Sequence, residues 1–393
     1  MAKTLVLGAG YAGIMAATRL DRNSEPFTLI NKYQYHYFTT LLHEAAGGRG
    51  TPMDYTVSLD ELLKEPSSEL EIAEVTGIDR DKKTVHTTQG DFDYEWLIIS
   101  LGWVPAYFGI EGLDQHSMVL TNVDSAIHIR RHIEEQFQTY MEDGDEERLR
   151  IAIGGAGLTG VELAGELLDW IPELCVKYGI DASKVDLQNI EAMPTILPQV
   201  SESLRENAAE VLREKGATLR TNTKIVKVEE NEVHLEGGDV VHAKTIIWTG
   251  GVQANPLLRE AGFTVDRRGR AKVDKYLRSV DDSHVFIGGD TAWFETEDGN
   301  SFPPTAQIAT QMGKFIGDNL ISAIHDKEMK PFHGSLKGTL ASIGREVGVG
   351  NVAGLPVRGM VAGLAKEATK VKYLWELGGA RLAAEKTGQI VSH

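Results

Sequence analysis

The sequence predicts an α/β protein in which one parallel-sheet nucleotide fold is inserted into another. Three observations predict it. A glycine-spaced turn between an apolar strand and a helix occurs twice, at Gly8-Ala9-Gly10-Tyr11-Ala12-Gly13 and, 147 residues later, at Gly155-Ala156-Gly157-Leu158-Thr159-Gly160. The late apolar run Val285-Phe286-Ile287, ending in Gly288-Gly289-Asp290, reads as one more core strand of the first fold, so the chain must leave that fold and return. Composition, with 42% hydrophobic residues and 41 glycines, is ordinary for such a protein. The expected division is 1–115 and 256–345 for the first fold, 116–255 for the inserted one, and 346–393 for a C-terminal segment.

Each glycine in such a turn has its own task. The first permits a tight turn, the second lets backbone approach a pyrophosphate, and the third lets helix pack on strand. The helix start supplies free N–H groups and a partial positive charge to the phosphates. Both turns therefore read as Rossmann-like fingerprints, with Gly8, Gly10, Tyr11, Ala12 and Gly13 holding one dinucleotide and Gly155, Gly157 and Gly160 a second. Two dinucleotides bound face to face imply electron transfer between them.

In the first fold, Thr4–Leu7, a helix from Tyr11 to about Arg22 and Phe27–Ile30 make the opening βαβ unit. Its second strand ends at Asn31-Lys32, eighteen residues past Gly13, where a ribose-binding side chain is expected. Asn31 can accept a ribose hydroxyl through its amide oxygen, and Lys32 can reach phosphate or adenine. The aromatic and histidine-rich stretch from Tyr33 to Gly50 lacks periodicity and reads as a loop and short helix near a ligand. Its Thr39 and Thr40 are candidate hydroxyl donors to a flavin or its phosphates. His36 and His43 lack the spacing of a metal site. Glu71–Thr76, Thr84–Thr88 and Tyr94–Ser100 read as strands, the last leading to Gly102, a point of close backbone approach to the first cofactor. Asp290 would lie over a ribityl hydroxyl, and the helix start near Ala306 beside the flavin ring.

In the inserted fold, a strand at Met118–Thr121 and a polar helix from Asp124 to about Glu142 precede the second fingerprint. The helix after that fingerprint is expected to stop near Trp170 and Pro172, with an excursion to Ser183. Val185–Ile190 ends at Glu191, 31 residues past Gly160; an acid there would bind the ribose hydroxyls and repel a 2′-phosphate, favouring NADH over NADPH. A helix from Ser203 to Lys215 is followed by Thr218–Arg220, Ile225–Glu229 and Glu232–Glu236, which read together as a small β-meander. Lys244–Trp248 is a strand whose turn, ending at Gly251, adds a further candidate for cofactor contact.

The bulk numbers exclude several classes. Net charge is −17, which argues against a nucleic-acid partner. Trp96–Ile110 and Gly299–Gly313 are among the longest stretches without a charged side chain, fifteen residues each, too short to span a bilayer. The first strand begins within a few residues of Met1, so a cytoplasmic protein is expected. Cys175 is the single cysteine, so no intramolecular disulfide or cysteine pair can relay electrons. The segment from Leu355 onward carries +3 against −20 for the rest, with Met360, Val361, Leu364, Ala368, Val371 and Trp375 at helical spacing. That pattern suits an amphipathic helix associating with an anionic membrane surface. An ordinary helix packed on the body fits it as well.

Several stretches together resemble the type II NADH dehydrogenases, single-subunit NADH:quinone oxidoreductases of bacterial membranes that do not pump protons. They are Gly-Ala-Gly-Tyr-Ala-Gly, Asn31-Lys32, Gly155–Glu166, Trp248-Thr-Gly-Gly-Val252 and Pro303-Pro-Thr-Ala-Gln-Ile-Ala-Thr-Gln311. The resemblance covers nearly the whole chain. It implies FAD in the first fold, NADH in the second, and a quinone, menaquinone or ubiquinone, entering beside the flavin at the cytoplasmic face of the membrane. It also implies roles for single residues: Glu166 near nicotinamide and quinone, Gln307 lining the quinone entrance, Val75 at the adenine part of FAD, and Lys366 near the pyrimidine edge of the flavin. One departure is that Leu377–His393 carries Arg381, Glu385 and Lys386 where the family's tails are strongly apolar. A soluble acceptor is therefore the alternative to quinone, and whether the chain forms a homodimer is left open.

Glu162 and Glu166 are spaced i, i+4 and can share one helix face looking toward the cofactors. A carboxylate of raised pKa could relay a proton to quinone. Plain positioning of the nicotinamide is the competing role for Glu166.

Overall fold

The computed structural model describes residues 3–296 and 298–391. The chain forms two compact units. The first comprises Met1–Tyr37, Thr56–Val104 and Val252–Leu336; the second Phe38–Tyr55, Pro105–Gly251 and Lys337–His393. The seams between these units lie after 104, 251 and 336, and the short stretch Phe38–Tyr55 goes with the second unit. The C-terminal segment is likewise part of that unit, and its last two residues, 392 and 393, lie outside the described residues.

The first unit is built on a parallel five-stranded sheet in the order Val285–Ile287, Trp96–Ile99, Thr4–Leu7, Phe27–Asn31, Ser68–Ile72. Val285 pairs with Leu97, so the chain does return to its first sheet. The inner strand Thr4–Leu7 and the edge strand Val285–Ile287 are wholly buried, whereas the opposite edge strand, Ser68–Ile72, carries Glu69 and Glu71 and is half-exposed. Tyr11–Arg22 packs against Ala306–Ile324, closely enough that a β-carbon on Gly313 would meet the Ala12 carbonyl oxygen at 2.1 Å. The expected strand Glu71–Thr76 is two strands: Ser68–Ile72 closes the sheet, and Val75–Asp79 opens an antiparallel meander with Thr84–Thr87 and Gly90–Asp93.

The second unit repeats the plan. Its parallel sheet runs Met118–Val119, Thr245–Trp248, Arg150–Gly154, Asp186–Ile190, Ala217–Arg220. The expected meander therefore loses its first strand. Residues 217–220 pair in parallel with Asp186–Ile190, and Val240–His242 joins Ile225–Glu229 and Glu232–Leu235 instead. Local alternation cannot tell a parallel edge strand from a meander strand. The helix Leu158–Tyr178 does not stop at Pro172 but runs through it to the left-handed Gly179. One missing N–H is tolerated there because Ile171 and Leu174 on either side are buried, and packing outweighs the lost bond.

The last segment is an antiparallel sheet, Gly338–Ser342, Gly348–Val352 and Leu355–Gly359, followed by the helix Met360–Val391, which breaks at Gly379 (φ 78°). The helix is amphipathic in an unexpected sense. Ala362, Lys366, Lys370, Leu374 and Leu377 face inward and are buried, while Met360, Val361, Leu364 and Trp375 are 60–72% exposed. Part of the basic face, expected to suit an anionic surface, lies against the protein instead, where Glu162 meets Lys366 and Glu44 meets Lys370.

Candidate functional site

The two glycine turns are built alike. In the first unit a β-carbon on Gly13 would stand 1.8 Å from the carbonyl oxygen of Gly8; in the second, Gly160 would stand 2.0 Å from that of Gly155. At the middle positions, Gly10 and Gly157, a β-carbon would meet nothing within 4 Å. Open space over the middle glycine, at the start of helices Tyr11–Arg22 and Leu158–Tyr178, is what a pyrophosphate needs, so both turns fit a dinucleotide. The peptide between the first two glycines is fixed in each. Ala9 N–H donates to Asn31 Oδ1 (2.9 Å), and His36 Nδ1 donates to the Ala9 carbonyl (2.7 Å). Ala156 N–H donates to Glu191 Oε2 (2.7 Å), and the Ala156 carbonyl accepts from Leu197 N–H (2.9 Å). Asn31 and Glu191 thus stand at the same place in the two folds, each at the end of the second strand. Burial holds the His36 imidazole down to about 4, so it is neutral and keeps one defined donor.

Other predicted residues of the first unit lie as follows. Lys32 is exposed and pairs with Glu74 (3.0 Å). Val75 begins the meander, and Gly102 (φ +69°) accepts from Asn255 N–H through its carbonyl (3.1 Å). Asp290, Thr305, Ile308, Ala309 and Met312 line a small cleft, and burial pushes the Asp290 carboxyl up to about 6. Ala306 and Gln307 open the helix that Thr305 caps through Oγ1 (3.3 Å from Ile308 N). Thr40 sits in the turn Thr39–Leu41 of the second unit, away from its expected companions in the chain's division.

The second unit gathers a buried ionic cluster. Glu162 and Glu166 face the same way from the helix, as the spacing predicts, and each meets a cation. Arg49 grips the fully buried Glu166 with two nitrogens (2.5 and 3.2 Å). Lys366 Nζ binds Glu162 (2.5 Å) and the Ser342 hydroxyl (2.7 Å), and Lys370 Nζ binds Glu44 (2.7 Å). Ser342 N–H also donates to Glu162 (3.1 Å), and His43 Nε2 lies 3.2 Å from the Ser342 hydroxyl. Gly47 makes room for this: a β-carbon there would lie 2.5 Å from Glu166 Cβ. Burial, opposed by Arg49 and reinforced by Glu44, raises the Glu166 carboxyl to about 7. Burial and then Lys366, Lys370 and Arg49 drive His43 well below its ordinary value, so it stays neutral. Such a carboxyl can hold or release a proton near neutral pH.

Sequence reasoning missed Glu44, Arg49, Ser342 and Lys370. Each has a partner more than 100 residues away: Arg49 and Glu166 are 117 apart, Ser342 and Glu162 180, Lys370 and Glu44 326. One signal was available: two lone acids on an otherwise apolar helix, Leu158–Leu168, require buried partners somewhere.

Residues 2–313 match the pyridine nucleotide-disulphide oxidoreductase family. A type II NADH:quinone oxidoreductase of Staphylococcus aureus (strain NCTC 8325 / PS 47) is 38% identical over 394 residues, covering 98% of each chain. Among solved structures, NDH2 from Plasmodium falciparum in complex with NADH superposes with a TM-score of 0.90 at 19% identity, over 98% of this chain and 97% of that one. The sulfide:quinone oxidoreductase of Aquifex aeolicus gives 0.77 at 21% identity, over 96% and 92%. These two likenesses are of fold.

Proposed function

The chain belongs to the pyridine nucleotide-disulphide oxidoreductases and, within them, to the type II NADH:quinone oxidoreductases, and on that premise we propose that it oxidises NADH with FAD and reduces a membrane quinone. The observation that carries the reading is a pair of complete dinucleotide cradles in a chain whose single cysteine excludes an internal disulfide relay. FAD would accept hydride from NADH and release two electrons to quinone, chemistry that belongs to the cofactor. The protein's part is binding, orientation and proton management.

Gly8, Gly10 and Gly13, with the helix start at Tyr11, would hold the FAD pyrophosphate; Asn31 would bind its adenosine ribose, and Lys32 and Val75 flank that end. Gly102, Asp290 and Ala306 would hold its ribityl and ring portions, with Thr40 as a further hydroxyl donor. Gly155, Gly157, Gly160 and Glu191 would hold NADH, with Gly251 at the turn after the neighbouring strand. Glu191 carries two backbone N–H groups already, from Ala156 and Met193, and so stays an acceptor with lone pairs to spare for ribose hydroxyls. Glu166 would supply a proton to the reduced quinone, since its carboxyl is poised near neutrality and held in one orientation by Arg49. Gln307 would line the quinone entrance, following the resemblance. Lys366 is engaged by Glu162 and Ser342, which supports a role in setting the cluster's charge as well as any toward the flavin.

The exposed apolar face of Leu355, Met360, Val361, Leu364 and Trp375, with Lys372 exposed nearby, supports peripheral attachment to the cytoplasmic face of an anionic membrane. Among the described residues no helix is long and apolar enough to cross a membrane. We read the transfer as uncoupled from proton pumping, again following the resemblance. A soluble acceptor is the second reading, favoured by the exposed pair Arg381–Glu385 beyond Gly379.

The test is direct. The purified protein should be yellow, consume NADH steadily with menadione, and sediment with anionic liposomes. A colourless protein that refuses FAD ends the proposal, and flavin-loaded protein that ignores liposomes turns it toward the soluble acceptor.

A further inference from the structure

We propose that Phe108 covers the nicotinamide riboside half of the dinucleotide held by the second cradle. The inference rests on the reading of that cradle as an NADH site. Phe108 is a large apolar side chain left 70% exposed. It also stands at φ +52°, a left-handed conformation that bulky residues rarely adopt, followed by Gly109 at +71°. The chain holds it there by main-chain ties. Ala106 N–H donates to the Gly251 carbonyl (3.0 Å), Trp248 Nε1 donates to the Ala106 carbonyl (2.9 Å), and Ile110 N–H to that of Tyr107 (3.0 Å).

Those ties place the ring on the cradle. It meets the Trp248 ring edge to face at 6.4 Å, and a β-carbon on Gly251 would lie 2.5 Å from its Cζ. Gly250, one residue earlier, presses on the turn itself, since a β-carbon on Gly155 would come within 2.5 Å of the Gly250 Cα. Phe108 is thus the outer end of a continuous run of contacts that starts at Gly155, the first glycine of the turn.

Strand order says which half of the ligand passes there. In the second sheet Arg150–Gly154 lies between Asp186–Ile190 and Thr245–Trp248. A dinucleotide crosses the strand ends at this switch point, its adenosine ribose on the acid after the second strand. With that end at Glu191 and the pyrophosphate over Gly157, the nicotinamide half runs to the other side, over Trp248–Gly251. There the exposed aromatic face of Phe108 meets it, and an aromatic ring over a flat heterocycle or its sugar excludes water and fixes orientation.

The experiment measures binding of NAD⁺ and of ADP-ribose, which lacks the nicotinamide, to the flavin-loaded chain by calorimetry. Neither ligand reduces the flavin. Phe108→Ala and Phe108→Gly should weaken NAD⁺ by about tenfold and leave ADP-ribose within about twofold of the parent. The glycine variant suits the left-handed backbone, so an effect common to both is not misfolding, and Phe108→Tyr should bind NAD⁺ as the parent does. Unchanged NAD⁺ binding, or equal loss of both ligands, overturns the proposal while leaving the cradle's assignment intact. A parent chain that binds neither ligand overturns both.

Discussion

The two units carry the same machine with different polarity. Each has a parallel sheet of five strands, an antiparallel meander just before Trp96–Ile99 in one and Thr245–Trp248 in the other, and a glycine turn whose central peptide is pinned at both ends. In the first unit the pins are neutral, Asn31 and His36. In the second the pin is a carboxylate, Glu191, and the helix that follows buries two acids near its start, Glu162 and Glu166, where Tyr11–Arg22 buries one, Asp21, in its last turn. The difference suits the proposed roles. Shape and neutral hydrogen bonds at the turn would hold a resident cofactor, whereas admitting NADH, selecting against its phosphorylated form and handling protons would need charge. Charge buried in that way must be compensated, and the second unit draws its compensation from Phe38–Tyr55 and the C-terminal helix, both remote in sequence.

Breaking either turn should separate the two roles most sharply. Gly13→Ala should yield a protein that does not retain flavin, whereas Gly160→Ala should stay yellow but lose NADH affinity on the order of a thousandfold, about 4 kcal/mol, because each added methyl collides with a carbonyl oxygen. Titration of flavin content and of NADH binding checks both. If Gly160→Ala loses its flavin as well, the units do not bind their ligands separately.

The compensation can be removed next. Lys370→Ala takes from the carboxylate of Glu44, 1% exposed, its hydrogen-bonded cation and leaves only Arg49, 3.8 Å away and already engaged by Glu166, so stability should fall by about 3–5 kcal/mol. A variant with unchanged thermal midpoint would show that the C-terminal helix is not held by this pair.

Glu166→Gln should retain the yellow colour and lower quinone turnover by about a hundredfold at neutral pH. The pH signature has a defined sign. The carboxyl is raised to about 7 in the folded chain from an ordinary 4.5, so the folded state binds more protons between those values. Its contribution to stability is present below pH 4.5 and lost as pH rises through 7, and glutamine should abolish that slope. Equal turnover and an identical pH profile would remove Glu166 from the chemistry.

The smallest effect concerns selectivity. Glu191→Gln should narrow the preference for NADH over NADPH by about tenfold, since a repelling charge is replaced by an amide like that of Asn31. Stopped-flow reduction with each nucleotide measures it.

Much of this was legible in the chain. Both glycine turns, the insertion, the return strand at Val285 and the placement of Asn31 and Glu191 at matching strand ends follow from local pattern. Errors arose where local pattern is shared by two structures. Thr218–Arg220 alternates like a meander strand but lies in the parallel sheet, and Pro172 reads as a stop although buried neighbours carry the helix across it. The C-terminal helix shows the limit most clearly. Its apolar residues recur at the right spacing, yet Lys366 and Lys370 face inward and Leu364 and Trp375 outward.

The sequence by itself determined the class of fold, the two nucleotide cradles and the absence of an internal disulfide, because glycine clearance, strand alternation and a cysteine count are properties of neighbouring residues or of composition. Only the tertiary structure decided that Arg49 meets Glu166, that Lys366 meets Glu162 and that Lys370 meets Glu44. A buried charge is tolerated or forbidden by its partner in space, and no spacing along the chain encodes which distant segment brings that partner.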